Sequence, residues 1–185
     1  MPQINRAIVA RVAGAAAVAA ALFTAQFEGH SNNVYLDPVG IPTVCDGHAR
    51  TGPDGKPLRL GQTYSDDVCS YLLGKDISEA DKAVQRLIKV PLSEGERIAY
   101  TDFTFNAGAA NLAASTLLKK LNSGDRVEAC HELPRWTCAT VASGKGDATG
   151  TCATRDRTKK QLPGLVKRRD AEMKVCLGYA RGAPG

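Results

Sequence analysis

No repeat with a fixed period runs through this chain, which excludes a solenoid or array. Low-complexity bulk is also absent, which leaves an ordinary globular composition, 43% apolar and 23% charged. Aromatic residues are few: four Phe, five Tyr and one Trp among 185 residues. Cys45 and His48 form a C-x-x-H, but no second pair stands at zinc-finger spacing, so no metal is expected. Helix-turn-helix, zinc-finger and RNA-binding signatures are missing too, so the net charge of +5 does not argue for nucleic acid. A strongly apolar run is the last thing lacking. From Val12 to Ala25 there are eight Ala and one Gly, with only Val12, Val18, Leu22 and Phe23 as larger apolar groups.

That weak run follows Arg6 and Arg11, and basic residues before an apolar stretch make an export signal with a cytoplasmic N-terminus. Three fates are open: cleavage near the alanines at 19–21, a permanent anchor, or a helix that crosses the bilayer and can leave it. Nineteen helical residues from Ala7 span about 28 Å at ~1.5 Å rise per residue, about one hydrocarbon core. Alanine gains little on transfer, whereas each buried Leu or Phe gains roughly 1.5–3 kcal/mol. Alanine is also the best helix former, so the segment can stay helical in water.

The remaining length suits one domain. Residues 34–51 read as strand and turn around Pro38, Gly40 and Pro42, and 51–61 as a turn-rich loop. A helix opens after Thr63 or Ser65. Ile77, Ala80, Val84, Leu87 and Ile88 share one face of a long helix ending near Val90, before Pro91. A further helix starts at the cap Ser93 and stops in "NAGAAN". Short helices follow in "STLLKKLNSGD" and in "DRVEACHELPRW", the second broken by Pro134. Residues 138–156 read as loop, and a last helix follows Pro163 and Gly164. This order is α+β, mainly helical, with a small β region near the N-terminus.

Glu28 is followed by Asp37 after eight residues and by Thr43 after five more. Breaking a glycosidic bond needs a carboxylic acid that keeps its proton near neutrality and a second carboxylate that activates water or stabilises positive charge. Glu28, ending an apolar helix, has surroundings that raise its pKa. Asp37, in a polar turn, stays ionised, and Thr43 adds a hydroxyl that can position water. With 19 acidic residues in the chain, this spacing alone fits equally well a surface Glu and an Asp serving a turn.

The pattern E-x8-D-x5-T, followed by "TVCDGH", resembles the active-site signature of the phage-type lysozymes, glycoside hydrolase family 24. "DFTFNAGAANLAASTLLKKLNSGD" (102–125), "ELPRW" and "LPGLVKRRDAE" resemble further blocks of that family in its order, over roughly 26–177. The resemblance implies a lysozyme-like fold, with a β lobe at about 28–62 and a helical lobe at about 63–185. It implies Glu28 as general acid, Asp37 as second carboxylate and Thr43 as partner in holding the water. Phe105, Asn106, Thr116, Arg135 and Trp136 match positions along the family's substrate cleft, and His48 matches a histidine that supports the β region. The implied reaction is hydrolysis of the β-1,4 bond between N-acetylmuramic acid and N-acetylglucosamine, usually described as inverting, without a cofactor.

The N-terminus (1–25) resembles that of the signal-anchor-release endolysins. Their first helix is exported uncleaved and holds the enzyme inactive on the inner membrane. It then escapes to the periplasm when a holin collapses the membrane potential. The implied partners are therefore peptidoglycan and the host inner membrane, with the holin acting indirectly, and a monomer is expected. Two departures stand out: Cys45 and Asp46 replace an aliphatic residue and Gly, and the 138–156 loop is long. No cysteine lies in the apolar segment, so disulfide exchange from the anchor is excluded. Six cysteines behind an export signal point to three disulfides, with fifteen possible pairings. The family layout implies Cys45–Cys69, Cys130–Cys176 and Cys138–Cys152. A lytic transglycosylase, a non-catalytic wall-binding module and a cysteine–histidine amidase using Cys45 and His48 are the competing functions.

Overall fold

A computed structural model describes residues 4–37, 40–140 and 159–179. The N-terminal segment forms two helices, α1 (Arg6–Ala13) and α2 (Ala15–Thr24). The single helix expected from Ala7 to Ala25 is broken at Gly14, whose φ of 83° belongs to the region that favours glycine. Among the described residues no helix is long and apolar enough to cross a membrane. Small side chains let this segment pack closely. Val9, Ala17, Ala20, Ala21 and Ala25 are buried in one cluster with Leu73 and Ile77. A Cβ on Gly74 would come within 3.3 Å of Val12, so α1 lies almost against the backbone there.

The β lobe is a three-stranded antiparallel sheet in the order β1 (Ser31–Leu36), β2 (Pro42–Cys45), β3 (His48–Ala49). Val34 and Val44 face its core, while Tyr35 and Thr43 stand opposite each other on β1 and β2 and so share one face. The long helix α3 (Asp66–Leu87) is capped by Ser65, whose hydroxyl accepts from the Val68 amide. It is one helix of 22 residues where the sequence shows an opening and a later amphipathic face, and it stops before the expected Val90. Cys69 and Leu72 belong to the β-lobe core, Leu73 and Ile77 to the N-terminal cluster, and Val84 to the large helical core. This helix is therefore the spine on which three cores meet.

The helical lobe adds α4 (Glu94–Ala107), α5 (Ala109–Ala114), α6 (Thr116–Asn122), α7 (Arg126–His131) and α8 (Pro163–Cys176). Ser93 and Glu96 form a reciprocal capping box at the start of α4. The "NAGAAN" stop holds at Gly108, but the chain restarts at once as α5. Pro163 and Gly164 lie inside the first turn of α8 rather than before it, because proline suits a position whose N–H would go unused. The expected loop after Cys138 begins as a strand: β4 (Cys138–Thr140) pairs antiparallel with β5 (Lys159–Gln161).

Cys45 is bonded to Cys69, tying β2 to α3, and Cys130 to Cys176, tying α7 to α8. Cys138 is also disulfide-bonded, while Cys152, its expected partner, lies outside the described residues. The start of α4 meets the end of α8 so closely that a Cβ on Gly95 would fall 2.2 Å from the Val175 carbonyl oxygen. Both groups are backbone, so neither can rotate away. Gly95→Ala is expected to destabilise the fold by about 1–3 kcal/mol, although Ala alone favours a helix by about 1 kcal/mol. Urea unfolding of the two proteins measures the difference.

Candidate active site

The apolar face of α2 is anchored in the body, and its last residues carry the chain to Glu28. Thr24 is fully buried and donates its hydroxyl to Asp102 of α4 at 2.6 Å. Arg168 of α8 donates to both oxygens of that carboxylate, at 2.9 and 2.6 Å. Its remaining guanidinium nitrogen donates to Oε1 of Glu28 at 2.5 Å. Phe27 and Phe105 lie against Arg168, with ring centroids 5.5 and 5.7 Å from its central carbon. A buried cation with two carboxylates and two rings thus holds the Glu28 side chain from behind.

Burial pushes the Glu28 carboxyl above its ordinary range, and the charges of Asp102 and Asp46 add to that, while Arg168 opposes it. For Asp102 burial also works upward, but the Arg168 hydrogen bonds and charge outweigh it and hold the group ionised below its ordinary range. The two carboxyls bound to one arginine are thereby driven apart. Opposite Glu28 stands Gly47, at φ 86° in the turn between β2 and β3. A Cβ there would lie 3.2 Å from Oε2 of Glu28, so glycine serves both the turn and the close approach.

Glu28 and Gly47 line a cleft of about 460 Å³ between the lobes. Asp76, Glu79 and Ala80 of α3 and Thr104, Phe105 and Asn106 of α4 form the other wall. Asp37 ends the β1 strand, where its carboxylate accepts the Ile41 amide at 2.8 Å and fixes the hairpin. Thr43 is buried on β2 and donates to the Ile41 carbonyl at 3.0 Å. Tyr35 stands across from Thr43. Burial raises its phenol pKa, and the charges of Glu28, Asp37 and Asp46 raise it further.

The sequence-derived cleft residues divide. Phe105 and Asn106 line the cleft, and Asn106 accepts from Arg169 at 2.9 Å. Trp136 is half-buried and packs edge-on against Phe103 at the margin of the helical core, with ring centroids 5.1 Å apart. Arg135 is exposed and pairs with Glu132, and Thr116 is exposed at the first position of α6. Sequence reasoning missed Arg168, Asp102, Thr24, Tyr35 and Asp46. The signal available for the first two was an arginine pair and an aspartate set among apolar helix residues, where a charge needs a partner.

Three residues of the "TVCDGH" stretch take structural places. Cys45 is in a disulfide, so it offers no thiol nucleophile and the amidase reading falls. Its neighbour Asp46 is buried beside His30, with Nδ1 of the ring 3.1 Å from the carboxylate. His48 lies with Nδ1 2.7 Å from Asp76 and Nε2 2.8 Å from the Thr51 carbonyl. The Asp76 hydrogen bond raises its pKa, against a smaller opposing effect of burial. A raised folded pKa means that the stability contributed by this clamp is full below about pH 6.5 and is lost as pH rises through the folded value. His48→Gln is thus expected to lower the melting temperature more at about pH 5 than at about pH 9, which thermal scans at the two pH values would check. An equal loss at both would contradict a charged clamp.

The phage lysozyme family model matches residues 25–172. A SAR-endolysin of Enterobacteria phage PA-2 is 37% identical over 182 residues, covering 95% of this chain and 96% of that protein. A SAR-endolysin of Enterobacteria phage P21 has the same identity and coverage. Among solved structures, an endolysin from Escherichia coli O157:H7 phage FAHEc1 superposes with a TM-score of 0.73 at 27% identity, covering 88% of this chain and 92% of that one. With an acid held at the cleft between an antiparallel sheet and a helical lobe, and with these likenesses spanning nearly its whole length, the chain belongs to the phage lysozyme family of glycoside hydrolases.

Proposed function

We propose that this protein is an endolysin that hydrolyses the β-1,4 bond between N-acetylmuramic acid and N-acetylglucosamine in bacterial peptidoglycan. The observation that carries the reading is the placement of Glu28: in the cleft wall, desolvated, with its pKa raised. A carboxyl in that condition keeps a proton to give. Glu28 protonates the glycosidic oxygen as the bond from the sugar carbon to that oxygen breaks. Water adds to the same carbon from the opposite face and passes its proton to Asp37, with Thr43 helping to hold the water. The product is inverted. The negative charge left on Glu28 is met by Arg168, already hydrogen-bonded to it. Neither a cofactor nor a metal takes part.

Borohydride reduction of the digest tests the bond specificity. The proposed cleavage turns the new ends into muramitol, and glucosaminitol instead would sink it.

The same reading assigns residues 1–25 two successive roles. On export the weakly apolar segment crosses the inner membrane uncleaved, with its N-terminus in the cytoplasm, and the enzyme stays inactive. After a holin depolarises the membrane, the segment leaves the bilayer and the periplasmic monomer folds around it. The support is that the relatives are named SAR-endolysins and that residues of this segment lie in the folded core beside Glu28. Intact mass of the periplasmic protein is expected to include the whole segment. Loss of about twenty residues, as in signal-peptide removal, would refute retention.

A further inference from the structure

Glu172 is a buried acid with no part in the proton transfers among Glu28, Asp37 and water. It lies on α8 with no exposed surface, four residues after Arg168 and three after Arg169, so the three side chains share one face of the helix. Both arginines are buried, and both reach cleft residues. Arg168 donates to Glu28, and Arg169 donates to Asn106 at 2.9 Å. Glu28 and Asn106 line the same cleft. Oε1 of Glu172 stands 2.8 Å from Nη2 of Arg169 and 3.8 Å from Nε of Arg168. One carboxyl therefore sits behind both of the arms that hold these cleft side chains.

What Glu172 lacks is a donor. Neither of its oxygens accepts a hydrogen bond from any described residue, although Arg169 is so near. A buried ionised carboxylate would need such bonds. Asp102 of α4 has them: it accepts from Thr24 once and from Arg168 twice, which keeps it ionised. Glu172 can instead donate to Asp102. Burial drives the Glu172 carboxyl well above its ordinary range; the Arg169 charge opposes this, and the charge of Asp102 and a hydrogen bond with it add to burial. Of two coupled neighbouring acids, one keeps its proton. The cluster behind the cleft then sets two guanidinium cations, Arg168 and Arg169, against the single carboxylate of Asp102. That excess positive charge meets the negative charge that Glu28 acquires on giving up its proton. An ionised Glu172 would cancel it.

Resting on the hydrolase reading above, we propose that Glu172 is a positioning residue that carries a proton and donates it in a hydrogen bond to Asp102, leaving Arg168 to hold Glu28 and Arg169 to hold Asn106.

Infrared spectra of the full-length protein test the proton, and steady-state rates on peptidoglycan test its use. At neutral pH the unaltered protein should show a protonated-carboxyl stretching band that Glu172→Gln removes. Glu172→Met, which offers Asp102 no donor, is expected to lower kcat about 10- to 100-fold, the scale of a misplaced reacting group, with a smaller change in KM. Glu172→Gln, neutral and still a donor, should recover most of that loss. Methionine and glutamine fill nearly the same space, so a packing role alone would not separate them. Absence of the band, a Gln variant as slow as the Met variant, or no loss in either would overturn the proposal. Were Glu172→Met not to fold, a loss in Glu172→Gln as large as that expected for Met would still overturn it. Failure of the unaltered protein to cleave peptidoglycan would overturn the hydrolase reading, and with it the role in the reaction, while the band would still report the proton.

Discussion

Glu28→Gln is expected to lower turnover on peptidoglycan by about 10²- to 10⁴-fold, the usual contribution of a general acid, while binding to the wall survives. Glutamine keeps the shape of the side chain but has no acidic proton to give. Its amide oxygen can still accept from Arg168, which now bonds to Oε1 of Glu28, so the residues around it keep a partner. The melting temperature should therefore change little, which separates a catalytic loss from a folding loss. Reducing-end release by purified protein gives the rate, and co-sedimentation with insoluble peptidoglycan gives the binding. A variant retaining more than about a tenth of the rate would leave Glu28 outside the chemistry.

Arg168→Met is expected to be the most damaging single change to stability, at about 3–5 kcal/mol. The side chain is almost wholly buried and joins three parts of the chain: α2 through Thr24 and Asp102, α4 through Asp102, and the cleft through Glu28. Removing it leaves Asp102, with no exposed side-chain surface, without its cation. Most of the loss comes from that stranded charge rather than from missing contacts. Adding Asp102→Asn to the Arg168→Met protein should then recover part of the stability, and urea titration of the single and double variants measures it. Strictly additive losses would contradict the stranded-charge explanation.

Local chemistry carried the sequence reading furthest. Ser93 and Glu96 announce the start of α4 by their spacing, and Ser65 followed by two aspartates announces α3. An acid at the end of an alanine-rich stretch is visible as such in Glu28. What Glu28 touches is not visible, because Arg168 lies 140 residues away in the chain and Asp102 lies 66 from Arg168. Such pairs depend on how α2, α4 and α8 pack, and no periodicity encodes that.

The break at Gly14 was hidden for a related reason. Glycine within a helical pattern costs little enough to be tolerated, and only the fold shows that α1 turns away here to pack on α3. Trp136 shows the opposite limit. A family resemblance lines it up with cleft positions, and only the fold shows that its half-buried ring also packs against Phe103. The β4–β5 hairpin went unread because its strands are only three residues each and 18 residues separate them.

The mass of the sugars released from purified peptidoglycan tests the central claim most directly. Hydrolysis through Glu28 and Asp37 adds one water at every broken bond, so the new muramic acid ends should be hydrated and reducible. Ends that carry the internal 1,6-anhydro ring would mean that the sugar's own hydroxyl attacked in place of water, and would contradict a hydrolase in favour of a lytic transglycosylase.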